Sequence, residues 1–108
     1  MGNFIFILAR RNPQAITREI YSSHVEYLRK QTIEKRLLLA GPIKNRGIIL
    51  QLYCVETLDE AETLVNNDPY VSHGYYQSYR GYEWVIANEE NNWLMDTPRV
   101  QEMLRNLP

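Results

Sequence analysis

The chain has 108 residues, enough for one domain that buries roughly two-thirds of its unfolded surface. Twelve Lys plus Arg against thirteen Asp plus Glu leave it nearly neutral, which argues against the basic excess that holds nucleic acid or an anionic membrane. Cys54 is the only cysteine, so neither an intrachain disulfide nor a cysteine-rich zinc site is available, and a reducing, cytoplasmic setting is expected.

Residues 3–9 (NFIFILA) are β-branched and aromatic, continuously apolar and too short for a helix, the pattern of a central strand buried on both faces. The run is also far short of the roughly 20 residues that span a bilayer, and Arg10-Arg11 follows it, whereas the basic flank of a secretory signal precedes its apolar core. Asn12-Pro13 supplies a cap and a first-turn proline for a helix predicted over residues 13–35. Ile16, Ile20, Tyr27 and Leu28 fall on one stripe of that helix, and His24 lies on the same stripe, facing inward.

Residues 37–40 read as a second strand stopped by Gly41-Pro42, and Lys44-Asn45-Arg46-Gly47 carries turn chemistry before a third strand over 48–55. Thr57 and Glu60 form a capping box for a helix whose inward face is Leu58, Ala61, Leu64 and Val65, ended by Asn66-Asn67 and Asp68-Pro69. A fourth strand runs over 75–86. The order β-α-β-β-α-β predicts an α+β fold of the ferredoxin-like, split βαβ type: a four-stranded antiparallel sheet covered on one face by two helices. The bare sheet face calls for a cover, and a second copy of the chain is the expected one, giving a homodimer through sheet faces. Residues 88–108 read as an extension to a domain over 1–87. Within it, Thr97-Pro98 opens a short helix whose apolar stripe, Val100, Met103, Leu104 and Leu107, needs a groove on its own subunit or on the partner.

The candidate chemistry is a pair, His24 on the first helix and Asp68 in the loop after the second. Both helices cover the same sheet face, so the end of one can approach the middle of the other. A histidine can take a proton near neutral pH, and a carboxylate on its other ring nitrogen fixes the tautomer. The plainer reading of the spacing is a satisfied core histidine beside a turn-forming aspartate. His73, in the loop ending at Gly74, is a further candidate for the same pocket, and Tyr70, Tyr75, Tyr76, Tyr79, Tyr82 and Trp84 form an aromatic series suited to a flat small molecule or to dimer packing. Two histidines with scattered acids make no metal-ligand spacing, and no metal or cofactor is expected. Arg46-Gly47-Ile48-Ile49-Leu50-Gln51-Leu52-Tyr53 begins like an RNA-recognition signature, but Ile48 and Leu50 stand where stacking aromatics are needed.

Several segments together resemble the YCII-related (YciI-like) family of the dimeric α/β-barrel group: His24-Val25-Glu26-Tyr27-Leu28, Leu38-Leu39-Ala40-Gly41-Pro42, residues 58–65, Asp68-Pro69, Gly74 and Trp84. The resemblance implies a ferredoxin-like protomer, two of which bring their sheets together, with His24 and Asp68 in the positions of a catalytic dyad. It implies a cofactor-independent lyase or isomerase, dehydrochlorinase-like or muconolactone-isomerase-like, acting on a small cyclic or aromatic metabolite. Gly41, Pro42, His73 and Tyr76 are the expected substrate-binding residues. The alternative is a non-catalytic homodimer that binds a small molecule in the same pocket. Tyr21 departs from the pattern, standing where many relatives carry an arginine ahead of the histidine, which weakens the case for an anionic substrate.

Overall fold

The computed structural model covers all 108 residues. Strands β1 (Gly2–Arg11), β2 (Leu37–Ile43), β3 (Ile48–Val55) and β4 (Tyr76–Glu83) form one antiparallel sheet in the order β2-β3-β1-β4. Helices α1 (Arg18–Ile33) and α2 (Leu58–Asn66) pack against the sheet, and a four-residue helix α3 (Pro69–Ser72) follows α2. This is the split βαβ fold. The pleat of β1 sends Phe4, Phe6 and Leu8 inward beneath the helices, opposite Tyr53, Gln51 and Ile49 of β3. Ile5 and Ile7 of the same strand point to the other face and are only half-buried, so the continuous apolar run serves two different surroundings.

Three local features differ from the sequence expectation. Residues 13–35 are not one helix: Asn12 caps a 3₁₀ turn over Pro13–Ala15, and Thr17 then caps α1 by accepting from the Ile20 N–H at 3.1 Å. Two caps five residues apart compete for the same start, and the second wins the long helix. Gly41-Pro42 does not stop β2 but lies within it. β2 is an edge strand, where a proline without an N–H leaves no ladder bond unmade. Asp68-Pro69, read as a terminator, instead starts α3, with the Asp68 carboxylate accepting from the Tyr70 N–H and proline at the first position. At α2 the Thr57 hydroxyl accepts from the Glu60 N–H as expected, while Glu60 reaches back to the Glu56 N–H, one residue before the cap.

Beyond β4, an irregular turn over Glu89–Leu94 leads to α4 (Pro98–Arg105), capped by Thr97. α4 has no substantial packing partner in its own chain, and Met103, Leu104 and Leu107 are exposed. The molecule is accordingly long, 55 × 29 × 23 Å.

On the core side, Gly81 pairs with Phe6 across the β1–β4 ladder. A Cβ at Gly81 would lie 2.8 Å from Cδ1 and 2.9 Å from Cζ of the Phe6 ring, and closer still to Cε1. Phe6 is fully buried and cannot swing away. Gly81→Ala is therefore expected to destabilise the fold by about 2–3 kcal/mol through overpacking, read as a lower urea midpoint with an unchanged m-value. An unchanged midpoint would show that the Phe6 ring has room to move.

Candidate active site

The fold brings His24, from the middle of α1, against Asp68, at the start of α3. The His24 Nδ1 lies 2.7 Å from Asp68 Oδ1, with both side chains buried. Asp68 is wholly enclosed, and each of its oxygens is used. Oδ1 also accepts the Tyr70 N–H at 3.0 Å, and Oδ2 accepts Gln51 Nε2 from β3 at 2.7 Å. Gln51 is itself oriented by the Tyr53 hydroxyl, which donates to its Oε1 at 3.0 Å. A buried carboxylate is tolerable only with such partners, and here three donors converge on it from three elements.

The carboxylate fixes the imidazole. With Nδ1 donating to Asp68, neutral His24 carries its proton there and leaves a lone pair on Nε2. Nε2 has no protein partner, and since every buried side-chain nitrogen and oxygen in the chain does have one, Nε2 is open to the cavity that His24 lines. The ring is held from one side by Tyr70, stacked at 3.5 Å between centroids and only 5° from parallel. Tyr75 and Tyr76 continue the aromatic wall around Tyr70, with centroids 5.0 and 5.8 Å from it.

The cavity measures about 380 Å³, at the small end of the usual range for small-molecule pockets. Its floor is Gln51 and Ile49 of β3, one side is α1 with Tyr21, His24 and Leu28, and the other is Ala40, Gly41 and Pro42 of β2. Burial raises the Tyr70 hydroxyl to about 12, with Tyr75, Tyr21, Tyr76 and Asp68 adding to the rise. Tyr76 is also raised, by burial first and then by Tyr75, with Arg11 opposing. These phenols stay protonated at neutral pH and act as hydrogen-bond donors, leaving Nε2 of His24 as the basic atom in the wall.

Of the residues singled out from the sequence, His24, Gly41, Pro42 and Tyr76 line this cavity, and Asp68 stands directly behind His24. His73 does not join them. It caps the C-terminus of α3, is exposed, and pairs its Nδ1 with the neighbouring Ser72 hydroxyl at 3.1 Å. No group of three or more His, Cys, Asp and Glu side chains converges as a metal site would require. Sequence reasoning missed Gln51 as a site residue. The available signal was a lone amide at an inward position of an otherwise apolar strand, where a buried polar group needs a buried partner. Arg11 was also missed, because the first strand was read over residues 3–9 and Arg10-Arg11 only as the basic pair that follows its apolar run.

The family model for the YCII-related domain matches residues 3–85. No curated protein matches the sequence. Among solved structures, the 5-chloro-2-hydroxyhydroquinone dehydrochlorinase TftG from Burkholderia phenoliruptrix AC1100, solved in complex with 2,5-dihydroxybenzoquinone, superposes with a TM-score of 0.65 at 20% identity, covering 83% of this chain and 99% of that one. Protein Atu4242 from Agrobacterium tumefaciens gives a TM-score of 0.44 at 14% identity, over 82% of this chain and 96% of that one. The sheet order matches the split βαβ expectation, and the family model spans all four strands and the helices that carry the His24–Asp68 contact. The chain belongs to the YCII-related family.

Proposed function

We propose that the chain is a cofactor-independent lyase or isomerase in which His24 Nε2 takes a proton from a small cyclic or aromatic substrate. One observation carries the reading: a histidine locked by a buried carboxylate into the tautomer that turns its basic nitrogen into an aromatic cavity. Asp68 orients the ring and supports the imidazolium that forms. Tyr70 keeps the ring plane fixed, and the walls formed by Gly41, Pro42 and Tyr76 select a flat molecule. The similar fold of a dehydrochlorinase solved with a quinone adds support for the substrate size and shape.

The dyad is tested by ¹⁵N NMR of the His24 imidazole together with chloride release from 5-chloro-2-hydroxyhydroquinone, used as a probe substrate. Wild type is expected to show the Nδ1–H tautomer. Asp68→Asn is expected to weaken the preference for that tautomer, because an amide cannot accept both from His24 and Tyr70 on one side and from Gln51 on the other. His24→Gln is expected to lower turnover by roughly 100- to 10,000-fold while ligand binding persists. Binding of a cyclic ligand by wild type with no turnover of any cyclic substrate would favour the non-catalytic binding protein instead.

We further propose a homodimer through the sheet faces. Ile5, Leu52 and Tyr82 align in register on the face opposite the helices, and Leu39 and Trp84 beside them are 68% and 46% exposed. A self-complementary apolar face of this kind is satisfied by a two-fold partner, and the bare stripe of α4 offers the same partner a second contact. Light scattering is expected to give twice the 12.8 kDa chain mass, and Leu39→Glu with Trp84→Glu to give the single-chain mass. A monomeric wild type would remove the dimer reading.

A further inference from the structure

A second cavity adjoins the first at the tip of the β2–β3 hairpin and shares with it Arg11, Pro42 and Tyr76. Its remaining wall is the hairpin itself, including Lys44, Arg46 and Gly47. Three cations therefore face one groove, and no Asp or Glu lines either cavity. None of the three is neutralised: the ion pairs of the chain are His24–Asp68, Arg29–Glu26 and Arg36–Glu34. The Arg11 guanidinium donates to no protein acceptor, which leaves its fork of N–H groups available.

The placement of Arg11 is built, and it is strained. Phe4, Phe6 and Leu8 point to the helix side of β1, so a regular strand would put Arg10 on that side and Arg11 on the other. Arg10 instead has φ 61°, a left-handed conformation that costs a non-glycine residue about 1–2 kcal/mol. The reversal interrupts the alternation, and Arg11, paired with Tyr76 in the ladder, lines the His24 cavity. Gly47 completes the seat. Its φ is +68°, and a Cβ there would meet Arg11 at 3.1 Å from Nη2 and 3.4 Å from Nε, so the guanidinium lies close over a bare backbone.

From this we propose that the groove is an oxyanion subsite: the cyclic substrate carries a carboxylate or phosphate, which Arg11 holds at the cavity mouth with Lys44 and Arg46 while the ring reaches His24. The inference rests on the His24 cavity being the substrate pocket. It supplies from the end of β1 the positive charge that Tyr21 does not supply on α1. Arg is suited to the task because its planar fork matches a carboxylate or phosphate at two points.

The test is a titration of the full-length protein with 2,5-dihydroxybenzoate, its uncharged amide, and inorganic phosphate, followed by calorimetry and by NMR of the Arg11 Nε–H, the Gly47 amide and the His24 ring. The carboxylate is expected to bind at least about tenfold tighter than the amide and to shift both Arg11 and His24 signals, and the preference is expected to weaken with salt. Arg11→Gln is expected to bring the two ligands within about twofold by lowering affinity for the carboxylate alone, and Gly47→Ala to reduce the preference with every charge retained. Arg105→Gln, remote on α4, should leave the preference unchanged. Phosphate that shifts Arg11 and Gly47 without His24 would mark phosphate itself as sufficient for the subsite. Equal affinity of carboxylate and amide for wild type, or a preference that survives Arg11→Gln, overturns the proposal. The pocket reading fails separately: if carboxylate and phosphate shift Arg11 but no ring compound shifts His24, the oxyanion site stands and the His24 pocket does not.

Discussion

Everything distinctive in this chain is arranged around one buried carboxylate. Asp68 has no solvent exposure, and an isolated charge in that position would cost several kcal/mol. Its three donors come from α1, β3 and the backbone of α3, so the carboxylate ties the helix layer to the sheet at the point where the chain turns from α2 toward β4. Removing any one donor leaves a charged acceptor underpaired, a larger penalty than the bond itself is worth. The same constraint sets the chemistry, since an acceptor that must be satisfied at Oδ1 dictates which imidazole nitrogen holds the proton. Structure and site are therefore one network, extending from the Tyr53 hydroxyl through Gln51 and Asp68 to the exposed Nε2 of His24.

Much of the fold was legible because its signals are local and redundant. The apolar run from Phe4, the Thr57–Glu60 cap and the Lys44–Gly47 turn each specify an element through neighbours a few residues away. The errors fell where one local signal met another or met the tertiary context. Asn12 and Thr17 are both good caps, and nothing within either decides which starts the long helix. Gly41-Pro42 ends a strand in most settings, but an edge position removes the reason, and edge status belongs to the sheet as a whole.

The site was legible to a different depth. His24 was placed on the inward stripe by helical spacing, and the topology allowed the loop at Asp68 to approach it, but spacing alone favoured a satisfied core histidine beside a turn aspartate, and the pairing itself is seen only in the structure. Gln51 was not assigned a role, and Tyr70 was read only as one of an aromatic series, because their contacts with Asp68 are not revealed by spacing along one strand or one turn. His73 shows the converse. It shares a loop with the site residues, yet the short turn of α3 carries it past the cavity to solvent, so sequence proximity overstated its involvement.

Arg11 is the sharpest case, because a backbone conformation rather than a side-chain preference decides where it goes. The two-residue alternation of the strand holds for Phe4, Phe6 and Leu8 and breaks at Arg10, where a single left-handed residue reverses the faces. Such a conformation is unfavourable by itself, and no hydrogen bond of the Arg11 side chain to protein offsets it. Around the cavity the tyrosine hydroxyls remain neutral, since burial drives Tyr70 and Tyr76 upward. Arg11 at the mouth is thus the permanently charged side chain lining the His24 cavity, with the Asp68 carboxylate enclosed behind the His24 ring. Lys44 and Arg46 line the adjoining groove, so the charged side chains a ligand meets on entry are all positive. Local strain that serves no packing purpose and yet adds Arg11 to that positive set is the kind a binding site retains.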